Sequence, residues 1–511
     1  MQKISIHIKK YIPYVLGVAL LVSCEQEAIE GPEPAAPLPA LSAGSLDLNT
    51  YVALGSSETA GYTDGAMFKA IQNFSYPNLL SQKFAKAGGG DFNQPLFNDN
   101  NGGLLLAGTQ IIGPRLIFNG AGPASILSVN PGATPTTDIA TNNPSGPFNN
   151  MGVSGAKSIH KLAPGYGNIA GVPVGLANPY FVRMASSAGA SILGDAMAQQ
   201  PTFFTLFTGL NDVLGYSTSG ADDSTSSLTP VNGPPGVGFD GTLAALVSTL
   251  TSGGAKGLLI NVPKLYNFPF FTTVPHNPVP LKASTAGAVN AAYAPYNGGL
   301  QAAYQALQGT GLLSADEVAK RTISFSAGAN AVVIVDESLT DLGAINPAFA
   351  GLPKYRQATA EDYILLPASA FIGTLAVPGN PLTANGVAVP LADKWVLTPE
   401  EQLKLSNTID GYNALIKAAA DSAGLAYVDA DNYYNIIRTQ GLTDGKFKLT
   451  NNLVTGGFFS LDGVHPTARG YALVTNILMK TLDAKFGSNF EASGNLLDIG
   501  DYPTNFSPAM Q

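Results

Sequence analysis

The chain has 511 residues, 45% of them apolar and only 12% charged, enough to bury one large core or two ordinary ones. A net charge of -9, with no Lys/Arg cluster beyond the N-terminal segment, argues against nucleic acid as a partner. The 57 Gly and 36 Pro predict many turns and long loops.

At the N-terminus, Lys3, Lys9 and Lys10 precede a short apolar run, residues 11–23, that ends Leu21-Val22-Ser23-Cys24. The run is too short to span a bilayer comfortably, so residues 1–23 read as a secretory signal. Leu-Val-Ser-Cys resembles the lipobox of bacterial lipoproteins, which implies that Cys24 is lipidated and becomes the mature N-terminus. A plain signal with an incidental cysteine is the alternative. Cys24 is the only cysteine, so no intrachain disulfide is possible. Glu25, Gln26 and Glu27 resemble a surface-export signal of Gram-negative lipoproteins, so the expected location is the outer membrane, on its periplasmic or cell-surface face. Residues 24–45, rich in Pro and Ala, read as a tether.

From residue 46 onward, short apolar runs alternate with helical stretches, the pattern of a parallel sheet covered by helices. Core strands are expected at 50–55, 148–154, 202–208, 257–262 and 425–429, each followed by Gly, Pro, Asn or Asp. Helices are expected at 242–250, 286–307, 399–422 and 466–485. The helix at 399 has an N-cap Thr398, Pro399 in its first turn and two early acids, Glu400 and Glu401. Residues 86–147 and 265–397 exceed what a minimal sheet-and-helix domain needs and read as insertions, the second with an extra strand at 331–336. A separate domain at 265–397 is the alternative. Residues 46–490 are thus one domain with insertions, and 491–511 a C-terminal tail.

Four segments carry chemistry. Ser460-Leu461-Asp462-Gly463-Val464-His465-Pro466 holds the only histidine of four with a carboxylate three residues upstream inside a Gly- and Pro-bounded loop. A neutral imidazole beside a fixed carboxylate is the proton-handling half of a hydrolase. Tyr51-Val52-Ala53-Leu54-Gly55-Ser56-Ser57-Glu58 puts a serine at a strand's carboxyl end, where open α/β sheets place their ligands; plain turn chemistry is the alternative. Gly209-Leu210-Asn211-Asp212 ends another strand with an amide that can donate to a developing oxyanion, or cap the next segment as an Asx-turn. Asn150-Met151-Gly152-Val153-Ser154-Gly155 ends a third, and its glycine lets backbone approach a ligand closely.

In this order the four segments resemble the SGNH (GDSL-type) hydrolase family. The resemblance covers residues 48–85, 148–265 and 398–485. It implies a three-layer α/β/α sandwich with a central parallel five-stranded sheet, flavodoxin-like, and no cofactor. Ser57 would be the nucleophile, His465 the general base and Asp462 its orienting partner. The oxyanion hole would be the Ser57 and Gly155 amides and the Asn211 side chain. The family reads Gly-Asp-Ser-Leu in its first block, whereas Ser56 and Glu58 flank Ser57 here.

Rival motifs are weaker. Ser154-Gly155-Ala156-Lys157 matches Ser-x-x-Lys, but no Lys-Thr-Gly follows and no Gly-x-Ser-x-Gly elbow occurs. No His/Cys/acid cluster has metal-ligand spacing, and His160 and His276 read as loop histidines. No phosphate-binding glycine loop follows a strand. The expected function is a serine esterase or lipase acting through an acyl-enzyme. The alternatives are an O-acetylesterase acting on acetylated glycans, and a surface binding lipoprotein that keeps the fold without turnover. The aromatic run Tyr266-Asn267-Phe268-Pro269-Phe270-Phe271 would line an acyl pocket or simply pack an inserted loop.

Overall fold

Five short apolar runs pair side by side in a computed structural model that describes residues 37–510. They are β1 (Tyr51–Gly55), β2 (Asn150–Gly152), β3 (Phe203–Phe207), β4 (Lys256–Ile260) and β5 (Ala426–Val428), the five expected core strands. All neighbours are parallel, in the order β5-β4-β3-β1-β2. Nearly every residue in them is buried, the continuous apolar reading of a sheet covered on both faces. The order reverses at β1, with β2 on one side and β3 on the other. A crevice for ligands opens at the strands' carboxyl ends at such a switch point.

The helices that matter here are α1 (Ser57–Ala60), α2 (Tyr76–Lys86), α3 (Leu210–Thr218), α4 (Phe239–Thr251), α5 (Ala283–Ala306), α6 (Pro399–Ser422), α7 (Ala430–Thr439) and α8 (Ala468–Phe486). All but α5, which belongs to the 265–397 segment, flank the sheet: α2 packs on α8, and α4 packs on α6. The architecture is α/β with a central five-stranded parallel sheet, consistent with three layers. α6 has the expected ends, with Pro399 in its first turn and Glu401 accepting the Thr398 N–H at 2.8 Å. α8 begins two residues later than expected, because the Thr467 hydroxyl caps it by accepting the Gly470 N–H at 3.0 Å.

From Ala40 onward the chain forms one compact unit, which includes residues 265–397. That segment carries its own small core around Val289, Val333, Ile334 and Ile364, and includes the expected extra strand as Val333–Val335. Within it, the Arg356 guanidinium is fully buried between Asp336 and Asp362, bonding Asp362 through two 2.7 Å contacts. Residues 86–147 hold two hairpins, Leu104–Leu106 with Thr109–Ile112 and Leu116–Phe118 with Pro123–Ser125. Residues 491–510 are no loose tail. Phe506 is buried edge-on against Phe68, and Arg115 Nη2 donates to Ser507 O at 2.6 Å. The signal segment, Cys24 and most of the tether lie outside the described residues.

Candidate active site

The carboxyl ends of β1, β2 and β3 lie side by side, with Gly55 opposite Gly152 and Leu54 opposite both Met151 and Leu206. Each strand delivers one expected residue. After β1 the chain turns directly into α1, putting Ser57 in its first turn. The approach is so close that a Cβ on Gly152 would lie 2.3 Å from the Ala60 nitrogen, which only glycine avoids. After β2, Gly155 takes φ +78° in an exposed turn, a left-handed conformation that disfavours any Cβ. After β3, Asn211 enters α3 with its side-chain nitrogen buried and without a hydrogen-bond partner.

The Asp462–His465 loop reaches the same edge from the far end of the chain. Asp462 Oδ2 lies 2.9 Å from His465 Nδ1, and Oδ1 accepts the Val464 and His465 backbone N–H groups at 2.9 and 2.8 Å. Burial by itself would raise the Asp462 carboxyl. The His465 charge, its ring hydrogen bond and the two amides outweigh burial and hold it at about 2. Burial would likewise lower the imidazole, but Asp462 first and Glu58 after it raise His465 above its ordinary value. The Tyr62 ring stacks obliquely on the imidazole, centroids 4.5 Å apart.

Glu58 is the unexpected occupant. It is only 3% exposed; Oε2 accepts the Ser57 hydroxyl at 3.2 Å and the Ser56 hydroxyl at 3.0 Å. Oε1 faces His465 Nε2 at 3.7 Å. Ser57 therefore meets His465 through a carboxylate rather than by a direct hydrogen bond. Among the described residues, seven buried side-chain polar atoms have no hydrogen-bond partner. Four belong here: Glu58 Oε1, His465 Nε2, Asn211 Nδ2 and the Thr208 hydroxyl at the end of β3. Such atoms are costly in a core and expected where a substrate is to be met.

Residues beyond the expected set hold the segments together. Asp64 Oδ1 accepts the Leu461 N–H at 3.0 Å, the Ser460 hydroxyl accepts the Asp64 N–H at 3.0 Å, and Gly65 N–H donates to Asp462 Oδ2 at 3.0 Å. These bonds tie the first segment to the last. Asp212 ties the third to the second by accepting the Ser158 hydroxyl at 2.6 Å and its N–H at 2.8 Å. The only sequence signals were an Asp-Gly turn at Asp64-Gly65 and an acid following Asn211. Lys161, fully buried, is brought down to about 8 by burial, against the opposing pull of Asp212 and Glu58.

The remaining candidates are structural. His160 stacks on Tyr166, accepts the Lys157 N–H at 3.1 Å, and is pushed down to about 4 by burial and two neighbouring lysines. Lys157 donates to Ser227 O at 2.6 Å. Phe268 and Phe271 are buried in the main core, so that part of the aromatic run packs its loop. Phe270 N–H donates to Gly463 O at 3.0 Å, and Leu366 N–H to Phe270 O at 2.9 Å, so the 265–397 insertion backs the histidine loop.

Comparison of the chain with family models, with curated proteins and with solved structures returned no match.

Proposed function

We propose that this protein is a serine ester hydrolase of the SGNH (GDSL-type) kind. The observation that carries the reading is the meeting, at the switch point of the sheet, of Ser57, the Asp462–His465 pair and an unpartnered Asn211 amide nitrogen. The strand order matches the flavodoxin-like order 2-1-3-4-5, which supports the same family.

Ser57 attacks the ester carbonyl and forms an acyl-enzyme, and water then releases the acid. The Ser57 and Gly155 amides with Asn211 Nδ2 bind the oxyanion of each tetrahedral intermediate. Asp462 fixes the imidazole's orientation and supports its charged form. Ser57→Ala and His465→Ala are each expected to cut p-nitrophenyl ester hydrolysis by several orders of magnitude with the fold intact by circular dichroism. Asn211→Ala is expected to cost roughly a hundred- to a thousandfold in kcat. Near-normal turnover in either of the first two variants would overturn the triad. Labelling of Ser57 by a fluorophosphonate separates this reading from a binding lipoprotein without turnover. Lipidation at Cys24 would hold the enzyme on the outer membrane.

One observation favours a polymer-borne ester. A groove of about 750 Å³ is lined by Tyr266, Tyr363, Arg438, Asn451 and Asn452. It is bordered by Thr272 and Thr273, just beyond Phe270, and by the 451–455 segment that leads toward the histidine loop. Aromatic faces beside amide side chains suit a sugar chain. Comparing acetylated xylan with a chain-length series of simple esters tests this second reading.

A further inference from the structure

We propose that Glu58, not His465, takes the proton from Ser57, while His465 rests as the imidazolium that protonates the leaving alcohol. The inference rests on the ester-hydrolase reading and assigns the proton path within it.

The Ser57 hydroxyl donates to Glu58 Oε2 at 3.2 Å, so the base already in contact with the nucleophile is a carboxylate. His465 Nδ1 is engaged by Asp462 at 2.9 Å, which leaves Nε2 facing Glu58 Oε1 at 3.7 Å. With Glu58 ionised and Nε2 unprotonated, the lone pairs of Nε2 and Oε1 would confront each other in a buried space, with neither atom satisfied. A proton on Nε2 makes the same contact attractive. The imidazole thus sits between two carboxylates, which favours the charged ring.

The groups facing the pair are consistent with this charge state. Around Glu58 lie the Ser56 and Ser57 hydroxyls and His465. Its charge also reaches Tyr76, Tyr434, Tyr471 and the buried Lys161. Around His465 lie Asp462, Glu58 and the Tyr62 ring. The ring's charge is countered twice, and it lies above its ordinary value for that reason, Asp462 contributing before Glu58 against the opposing effect of burial.

The cycle balances. In acylation the Ser57 proton passes to Glu58, the Oγ–C bond forms, and the carbonyl electron pair moves onto oxygen. When that pair returns, the C–O bond to the alcohol breaks, and the alkoxide takes the proton from His465 Nε2. The acyl-enzyme then holds a protonated Glu58 and a neutral His465. In deacylation, water gives its proton to His465 as it attacks. Ser57 leaves with the proton from Glu58, restoring the starting state.

A serine hydrolase whose histidine is the base loses activity when that histidine is protonated. Here the dependence is inverted on the alkaline side. The test is the pH profile of kcat/KM for the full chain on a p-nitrophenyl ester, measured for wild type, Glu58→Gln and Glu58→Leu. The expected wild-type profile is bell-shaped, falling at alkaline pH as His465 loses its proton. Glu58→Gln keeps a hydrogen-bonding side chain but accepts no proton, and should lower kcat by about 10²–10⁴-fold. Glu58→Leu restores the residue usual in the family and should give a profile that rises with pH to a plateau. A wild-type profile that rises to an alkaline plateau, or near-normal kcat in Glu58→Gln, overturns the role of Glu58 while leaving a Ser57-dependent esterase in place. Wild-type hydrolysis that survives Ser57→Ala overturns both.

Discussion

Asp462 does three things with two oxygens: it accepts the imidazole N–H, two amides of its own loop and the Gly65 amide. Asp462→Asn is expected to lower kcat by about 10³–10⁴-fold, because an amide cannot hold the same tautomer or support the charged ring. Stability follows with a definite sign. Asp462 is depressed in the folded chain, so its ionised form stabilises the fold above the unfolded carboxylate value near 4. That contribution is lost as pH falls toward about 2. Urea melts of wild type and Asp462→Asn should therefore differ at pH 6 and converge near pH 2. The local motif made Ser57, Asp462 and His465 readable in the sequence, since strand, turn and helix signals fall within a few residues of each. Glu58 was visible only as a departure from a pattern. Its contact with His465 depends on a neighbour some four hundred positions away, and no local rule places it there. The tying roles of Asp64 and Asp212 went beyond their local signals for the same reason: their partners, Leu461 and Ser158, are set by tertiary packing.

The sheet was the most legible element. Its strands are buried on both faces and appear as continuous apolar runs ended by turn residues. The hairpins between 104 and 125 gave no such signal, because Thr109–Ile112 is almost wholly exposed and has no apolar face to alternate. The long insertion is partly specified by charge. Arg356 neutralises two buried carboxylates, and Arg356→Met would leave Asp362 without its ion pair and Asp336 with only Lys320 at 3.4 Å. The expected cost is about 3–5 kcal/mol, measured by chemical denaturation, with turnover per folded molecule unchanged.

At the scale of the whole molecule, the last segment completes what the first begins. Thr63 donates to Pro466 O at 2.9 Å and the Tyr471 hydroxyl to Tyr62 O at 2.8 Å, alongside the Asp64 and Gly65 bonds. Residues 491–510 close over the same region through Phe506 and the Arg115 contacts. Ending the chain at residue 490 would expose Phe68 and remove acceptors from Arg115. Phe68 alone represents about 1.5–3 kcal/mol of apolar burial. A drop of several degrees in Tm, followed by circular dichroism, is the expected result.

That stitching also sets a timetable. A chain made N-terminus first carries Ser57, the proposed nucleophile, long before His465. Until residue 465 has arrived and docked on the Tyr62–Gly65 turn, Ser57 has only Glu58 beside it and no acid to release an alcohol. On the proposed reading, such a chain would stay silent while it is being made and would gain turnover only once its histidine loop has docked.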